Sequence, residues 1–470
     1  MSGLFASLNS SVQALTAQSR ALEISGKNLA NVNNTSYARQ RVQFGDLGTV
    51  MTPQGPESMG IQALSVQQMR DSLLDGQVMN ESSLSSYYQT LQTAYQRAQA
   101  GLGQTVTSPT ASNTTTSTTD TGIGAALDDV FNAFQSFAAS PTDTGLRQAL
   151  VQKTAILSDR MQLTDSRLGQ VQTDLNTQIS SDVTTVNGLL QNVASLNAQI
   201  GRFEINNPGS AVDLRDQRQA VLEQLAAKLP VTSTEMPGGQ VQVSAKDASG
   251  NPVVLVNLAA VTGPVTFNGT QLSAGSPATV LAPNAGSIQG ALTARDGAIQ
   301  TLRDNLNSLA SQLVTSVNAA YNPTGSTGNF FDAAGTTAAT IRLDPTVTAA
   351  NLKASDGGAA GDNTVAQAIA QLANHTFSTA GGDQLDGSFS SFYANSVGSL
   401  GQSLSGANSQ VTNQSNIETL VRSQRDSVSG VSLDEELADL QKYQRAFQAS
   451  SRVFTIVDDL LDNVVNQLGK

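Results

Sequence analysis

The 470-residue sequence has no cysteine, no tryptophan and a single histidine, His375. Without cysteine there are no disulfides and no thiolate metal or redox sites, and a lone imidazole cannot build a histidine-based metal centre. Most nucleophile–base pairings disappear with it, and neither a G-x-S-x-G elbow nor a Walker A sequence occurs. Aromatic residues make up 4% of the chain and charged residues 13%. Small apolar side chains must therefore supply the packing, which suits long helices better than a globular enzyme. There is no basic patch: 37 acidic residues against 25 basic give a net charge of −12, which repels phosphate backbones and anionic lipid and argues against a nucleic-acid partner. No apolar run reaches the length of a membrane span, so no membrane insertion is expected. The opening MSGLFASLNSSVQALTAQSR lacks the basic leader, apolar core and small-residue cleavage site of a cleaved signal.

What the sequence has instead is periodicity. Met1, Leu8, Leu15, Leu22 and Leu29 stand at seven-residue steps, with Phe5 and Val12 on the neighbouring seam, and the Glu23–Lys27 spacing predicts an i,i+4 ion pair. At the other end Leu433, Leu440, Phe447, Phe454, Leu461 and Leu468 repeat the pattern, flanked by Leu437, Val457, Val464 and Val465. Ser432 and Glu435 have capping-box spacing at its start. Both ends are predicted to be amphipathic helices with a partner face.

Between them, residues 42–70 read as a Gly/Pro-punctuated hairpin or extended connector, followed by a helix marked by Leu84, Tyr88, Leu91, Tyr95 and Leu102. The Ser/Thr-rich stretch 104–122 is predicted to be a mobile loop. A short helix carries Leu127, Val130, Phe131, Phe134 and Phe137 on one face. The longest pattern, roughly 145–205, places Leu168, Leu175, Leu189, Leu196 and Phe203 on one seam and Ile179, Val186, Val193 and Ile200 on another; a straight helix over the first seam would run about 54 Å. From Val231 to about Ala285 the pattern alternates as in strands, and helical order resumes at Ile288.

Little here points to chemistry. His375 sits in an Ala/Gln-rich segment read as helix, and GIGAAL at 122–127 is only a fragment of a dinucleotide fingerprint. Asp128 with Asp129 and Asp434 to Glu436 are read as first-turn carboxylates that offset a helix dipole; Asp458, Asp459 and Asp462, and Asp383 with Asp386, are read as solvated. No catalytic, metal or cofactor site is expected.

The segment GKNLANVNNTSYARQ, following a heptad helix, resembles the axial-protein family of the bacterial flagellum, whose rod, hook and hook–filament junction members carry an A-N-V-N motif at this position. Ala30, Asn31, Val32, Asn33, Tyr37, Arg39 and Gln40 match it, while Asn34, Thr35 and Ser36 stand where Thr-Pro-Gly is commoner. QRAFQAS near the C-terminus is similar to all axial proteins, whereas Ser429-Gly430-Val431 and Leu433-Asp434-Glu435-Glu436 resemble the junction members. DTGLRQALVQK and VDLRDQRQAVLEQLA add to the likeness.

The resemblance implies a multidomain, mainly α fold: N- and C-terminal coiled-coil helices packed together (1–41 with 430–470), a long helical-bundle domain (42–230 with 286–429), and an inserted small β domain (231–285). It implies a structural adaptor joining hook to filament, exported without a cleaved signal by the flagellar type III system to the cell exterior. The implied partners are further copies in a ring or helical layer, the hook protein, a second junction protein adjoining the filament, and a cytosolic export chaperone. Leu8, Val12, Leu15, Leu22 and Leu29 would serve assembly. Leu433, Leu437, Leu440, Phe447, Phe454, Leu461 and Leu468 would serve assembly and chaperone binding. Another axial component, hook or rod, is the alternative, and a secreted adhesin or enzyme on helical stalks a more distant one.

Overall fold

An α-helix turns through about 700° in seven residues, so a strict seven-residue ladder on a straight helix drifts by about 20° per repeat. That drift decides which ladder residues this structure buries. The computed structural model describes residues 2–52, 55–103, 122–325, 328–357 and 361–463. Met1, Val464, Val465, Leu468 and the expected loop, save Gly122, lie outside them.

In chain order the elements are α1 (Ser2–Ala30), β1 (Gln40–Asp46), β2 (Thr49–Thr52), β3 (Gly55–Ser58), β4 (Ile61–Gln68), α2 (Ser72–Leu102), α3 (Ile123–Ala139), α4 (Thr144–Phe203) and α5 (Val212–Lys228). The strands β5 (Thr232–Glu235), β6 (Val241–Lys246), β7 (Pro252–Asn257), β8 (Ala260–Val261), β9 (Thr266–Phe267), β10 (Leu272–Ala274) and β11 (Thr279–Leu281) follow. Then come α6 (Gly286–Ala294), α7 (Gln300–Tyr321), α8 (Thr364–Gln371), α9 (Phe389–Ser429) and α10 (Leu433–Asp462). The fold is multidomain and mainly α, with small sheets, as the patterning predicts. The chain separates into two compact units, one of Met1–Ser85, Val183–Gly286 and Gln414–Lys470, the other of Ser86–Asp182 and Ser287–Asn413, so the divisions fall inside α2, α4 and α9 and after the first residue of α6.

In the first unit, α1 packs along α10 and against β1 and β4. The connector after α1 is a nested pair of hairpins: β1 pairs antiparallel with β4 from Gln40↔Gln68 to Asp46↔Ile61, and β2 pairs with β3 beyond it. The alternating QVQVSA run becomes β6, whose Val241, Val243 and Ala245 point into the core while the residues between do not. β5, β6, β7 and β8 form one antiparallel sheet, and β9, β10 and β11 a second. The KDASGNP turn joins β6 to β7: the Asp247 carboxylate accepts the Ser249 and Asn251 N–H groups, and Gly250 takes φ +81°, a conformation that favours glycine.

The second unit gathers most of the scarce aromatics. Leu127, Val130, Phe131, Phe134 and Phe137 of α3 are all buried, as their spacing predicts. Phe131 stacks on Phe389 at 5.7 Å between centroids, Phe134 meets Phe330 at 5.1 Å, and Tyr321, Phe331 and Phe377 complete the cluster. Such ring pairs add to simple area burial.

α4 spans 60 residues, close to the length its pattern predicts. Its Ile179, Val186, Val193 and Ile200 seam is fully buried. The other seam departs from expectation: Leu168 and Leu175 are buried, Leu189 and Leu196 only half so, and Phe203 is 64% exposed. Five seven-residue steps at about 20° each swing that seam through roughly 100°, from core face to surface.

Several local expectations are corrected. Ser432 is the N-cap of α10 with extended backbone, but its side chain makes no capping bond, and Glu435, the other half of the expected box, is drawn to Arg39. Glu23 pairs with Arg20 at 2.7 Å rather than with Lys27, which reaches Asp213. His375 follows a short 3-10 turn, exposed, with its ring edge-on to Phe377. Asp128 and Asp129 lie beyond the first turn of α3, where Asp129 pairs with Lys153 and Asp128 accepts the Ser390 hydroxyl.

Candidate assembly site at the terminal junction

The asparagine-rich segment after α1 ends the helix and then re-enters the core. The Asn31 backbone N–H and side-chain amide both donate to the Lys27 carbonyl, at 3.2 and 3.0 Å, covering one of the carbonyls that a helix end leaves open. The Asn34 side-chain oxygen accepts the Ser36 N–H at 3.2 Å, the two-residue reach by which asparagine shapes a turn.

The central amide is Asn28, one turn earlier and 1% exposed. It donates to the Gln40 carbonyl at 2.8 Å and accepts the Gln40 N–H at 3.0 Å, and its oxygen also takes the Tyr37 hydroxyl proton at 2.7 Å. The side chain thus stands in for a neighbouring strand at the first residue of β1, fixing where the chain turns outward. Tyr37 is itself buried: burial, then the Asp216, Asp213 and Glu436 carboxylates, push its hydroxyl above the ordinary tyrosine range.

Three other segments close on the same turn. From α5, Asp216 accepts the Ala38 N–H at 3.2 Å, and Asp213 accepts Lys27 at 2.5 Å and the Gln40 amide at 3.0 Å. The Lys27 and Gln40 bonds outweigh the cost of burial and hold the Asp213 carboxyl below its usual value. Asp216 shifts the other way, because burial outweighs its ion pair with Arg70. From α9, Arg425 donates to the Thr35 carbonyl at 2.8 Å and to Glu223 at 2.8 Å, and the Ser429 carbonyl accepts the Arg39 N–H at 2.8 Å. Gly430 follows at a close approach: a Cβ there would overlap the Asp426 carbonyl oxygen, which explains a glycine between α9 and α10.

The third segment is α10. The Arg39 guanidinium, 8% exposed, reaches Glu436 at 2.6 Å, Glu435 at 2.5 Å and Asp439 at 3.4 Å. Glu436 is 3% exposed at its side chain, so this pair is withdrawn from water and joins residues 397 positions apart in sequence. Burial works against the Arg39 charge, but its bonds to Glu435 and Glu436 prevail and raise its pKa.

The structure sorts the expected site residues unevenly. Tyr37 is buried in the junction, Asn31 and Val32 are half-buried, and Ala30 and Asn33 are exposed. Leu8, Leu15, Leu22 and Leu29 flank the buried face of α1 instead of forming it; Ala17, Ala21, Ile24, Ser25 and Asn28 form it, and Val12 is 41% exposed. On α10 the ladder winds inward along the helix. Leu433 and Leu437 are 49% and 44% exposed, Leu440 is half-buried, Phe447 is 37% exposed, Phe454 is half-buried and Leu461 is 8% exposed. The same drift of about 20° per repeat accounts for it.

Sequence reasoning passed over Val453, Ile456 and Leu460, which lie 50%, 59% and 48% exposed along the flank of the α10 stripe that buries Val457 and Leu461. It also passed over Asn28, Asp213, Asp216 and Glu436 as site residues. The first was visible as a poor helix former inside a heptad helix, and the others lie within the VDLRDQRQ and LDEE segments. Among the described residues no group of three or more His, Cys, Asp or Glu side chains is placed to hold a metal ion. The arrangement can do one thing well: it fixes both chain ends in one register through charge-assisted bonds.

Comparison with known proteins accords with that geometry. Residues 110–331 match the family described as the flagellar hook-associated protein FlgK helical domain, and residues 422–468 match the flagellar basal body rod FlgEFG protein C-terminal family. Flagellar hook-associated protein 1 of Bacillus subtilis (strain 168) is 25% identical, the alignment covering 100% of this chain and 99% of that protein. The likeness to flagellar hook-associated protein 1 thus runs the whole length of the chain. The same-named protein of Escherichia coli (strain K12) is 22% identical, over 98% of this chain and 99% of its own. A solved structure, that of the flagellar hook junction protein FlgK from Burkholderia pseudomallei, aligns with TM-score 0.45 and 22% identity over 55% of this chain and 46% of that one. These similarities support a structural role in the flagellum.

The junction makes a testable statement about pH. Replacing Tyr37 with phenylalanine removes the bond to Asn28 and should cost about 1 kcal/mol at pH 8. A tyrosine whose folded pKa is raised contributes stability in full below the unfolded value of about 10, and that contribution is lost as pH rises towards the folded value. The gap between wild type and Tyr37→Phe should therefore shrink in denaturant melts between pH 9.5 and 11. A gap that stays constant would contradict the assignment.

Proposed function

We propose that the chain is the adaptor layer between the flagellar hook and the filament, copies of it packing side by side through the outward faces of α1 and α10. One observation carries this reading. The two terminal helices pair within one chain and still leave an apolar face turned outward, made of Val453, Ile456 and Leu460 on α10, with Phe5 (56% exposed) and Val12 on α1. Exposed apolar faces of this extent mark interaction sites. A second copy is the occupant that suits it, since the same two helices recur in every subunit of a repeating layer.

On this reading Leu8, Val12, Leu15, Leu22 and Leu29 and the ladder from Leu433 to Leu468 serve both interfaces, inward within the chain and sideways to its neighbours. The three-part organisation, 1–41 with 430–470, 42–230 with 286–429, and 231–285, is proposed in the same sense: a terminal part that assembles, a long helical part, and a β part furthest from the chain ends in sequence. The hook protein and a second junction protein adjoining the filament are the proposed neighbours above and below. Export by the flagellar type III route to the cell exterior belongs to the same reading, and a cytosolic chaperone covering α10 would prevent its apolar face from associating early.

Purified chain added to isolated hooks stripped of filament tests the reading. Gold-labelled protein should collect at the distal hook end alone, in a layer of fixed height. Labelling along the hook sides, or none, would overturn it.

A further inference from the structure

A cavity of about 600 Å³ adjoins the terminal junction at Arg70, bounded by the end of β4, the start of α2, α5 and β5. Three arginines line it, Arg70, Arg215 and Arg218. Two are already neutralised: Arg70 pairs with Asp75 at 2.8 Å and Asp216 at 2.6 Å, and Arg215 with Glu204 at 2.8 Å and Glu235 at 3.0 Å. Arg218 is different. It is 6% exposed, and the bonds it makes among the described residues are to neutral oxygens, both from Nη1: the Asn197 side chain at 2.9 Å and the Gly239 carbonyl at 2.7 Å.

A guanidinium withdrawn from water with no carboxylate bonded to it is unfavourable unless an anion completes it. Its surroundings register the deficit: burial first, then the Arg215 cation, draws its pKa down to about 10, although the Glu235 and Glu204 carboxylates nearby offset part of the shift. Ser83 also lines the cavity, and its buried hydroxyl has no protein partner. Met79 and Leu222 provide apolar wall.

We propose that this cavity is an oxyanion site, in which Arg218 neutralises a carboxylate or phosphate group and the Ser83 hydroxyl is a further donor. The anion has two possible sources, a free ion or a carboxylate of a neighbouring copy of this acidic chain. The planar fork of arginine suits either, since it grips two oxygens at once.

Titration of the purified full-length chain with inorganic phosphate at constant ionic strength, by calorimetry and thermal unfolding, separates the sources. If the anion is free, wild type binds saturably and melts higher, Arg218→Gln responds to neither measurement, and Arg218→Lys binds at least tenfold more weakly. Should the glutamine variant fail to fold, the lysine variant, which keeps the charge and loses the fork, carries the comparison. If the anion belongs to a neighbour, phosphate leaves the monomer unmoved, and Arg218→Lys layers grown on isolated hooks dissociate at lower salt than wild type. Phosphate binding equal in wild type and Arg218→Lys would overturn the proposal. So would indifference to phosphate together with layers of unchanged salt resistance.

Discussion

Replacing Arg39 with alanine should open the terminal junction, weakening it by about 3–5 kcal/mol, because one partner of a withdrawn ion pair is lost while the other stays buried. The stranded group is Glu436, 2% exposed, and Glu435 and Asp439 lose their counter-charge at the same time. By the usual conversion of about 1.4 kcal/mol per tenfold, amide exchange in α1 and α10 should accelerate by roughly two to three and a half orders of magnitude. The second unit, Ser86–Asp182 with Ser287–Asn413, should keep its protection. Combining Arg39→Ala with Glu436→Gln should recover part of the loss, since the buried charge is then gone too. Exchange in α10 that is unchanged by Arg39→Ala would show that the clasp contributes nothing.

The second large effect concerns assembly with the fold intact. Ile456→Asp together with Leu460→Asp places two charges on the outward face of α10, at positions 59% and 48% exposed. Exposed substitutions of this kind shift monomer stability by no more than about 0.5 kcal/mol each. Two desolvated carboxylates in a packed interface between copies are far more costly, so growth of a layer on isolated hooks should fall below detection while circular dichroism and melting stay as in wild type. The same change at Leu461, which is 8% exposed within the chain, should destabilise the monomer instead. Normal layer growth by the double variant would remove that face from the assembly.

The contrast between those two sites shows where the sequence was readable. Period alone was enough for the long α4, for α3 with its buried Phe131, Phe134 and Phe137, and for helices at both ends. It could not say which face of each terminal helix is buried. A seven-step ladder drifts on a 3.6-residue helix, so Leu433 and Leu461 belong to one ladder yet differ sixfold in exposure. Small residues, Ala17, Ala21 and Ser25, hold the seam of α1 while the leucines stand beside it.

The polar junction was legible only as separate fragments. A-N-V-N, DLRD and LDEE each stood out, but which side chains meet depends on pairings across nearly the whole chain, such as Arg39 with Glu436. Local rules even pointed the wrong way: Glu435 has capping-box spacing from Ser432 but binds a guanidinium brought from the other end of the chain, a stronger attraction than a single backbone N–H. Among the asparagines, position in the motif drew attention to Asn31 and Asn33, whereas burial singles out Asn28, which bonds the strand that follows.

Deleting the gene and imaging the cells by electron microscopy tests the adaptor role most directly. The account predicts hooks of normal length and curvature that carry no filament, with filament protein shed into the medium, and restoration by the wild-type gene but not by the Ile456→Asp, Leu460→Asp variant. Loss of the hook itself would place the chain earlier in the axis, and filaments still attached to hooks in the deleted strain would contradict the account outright.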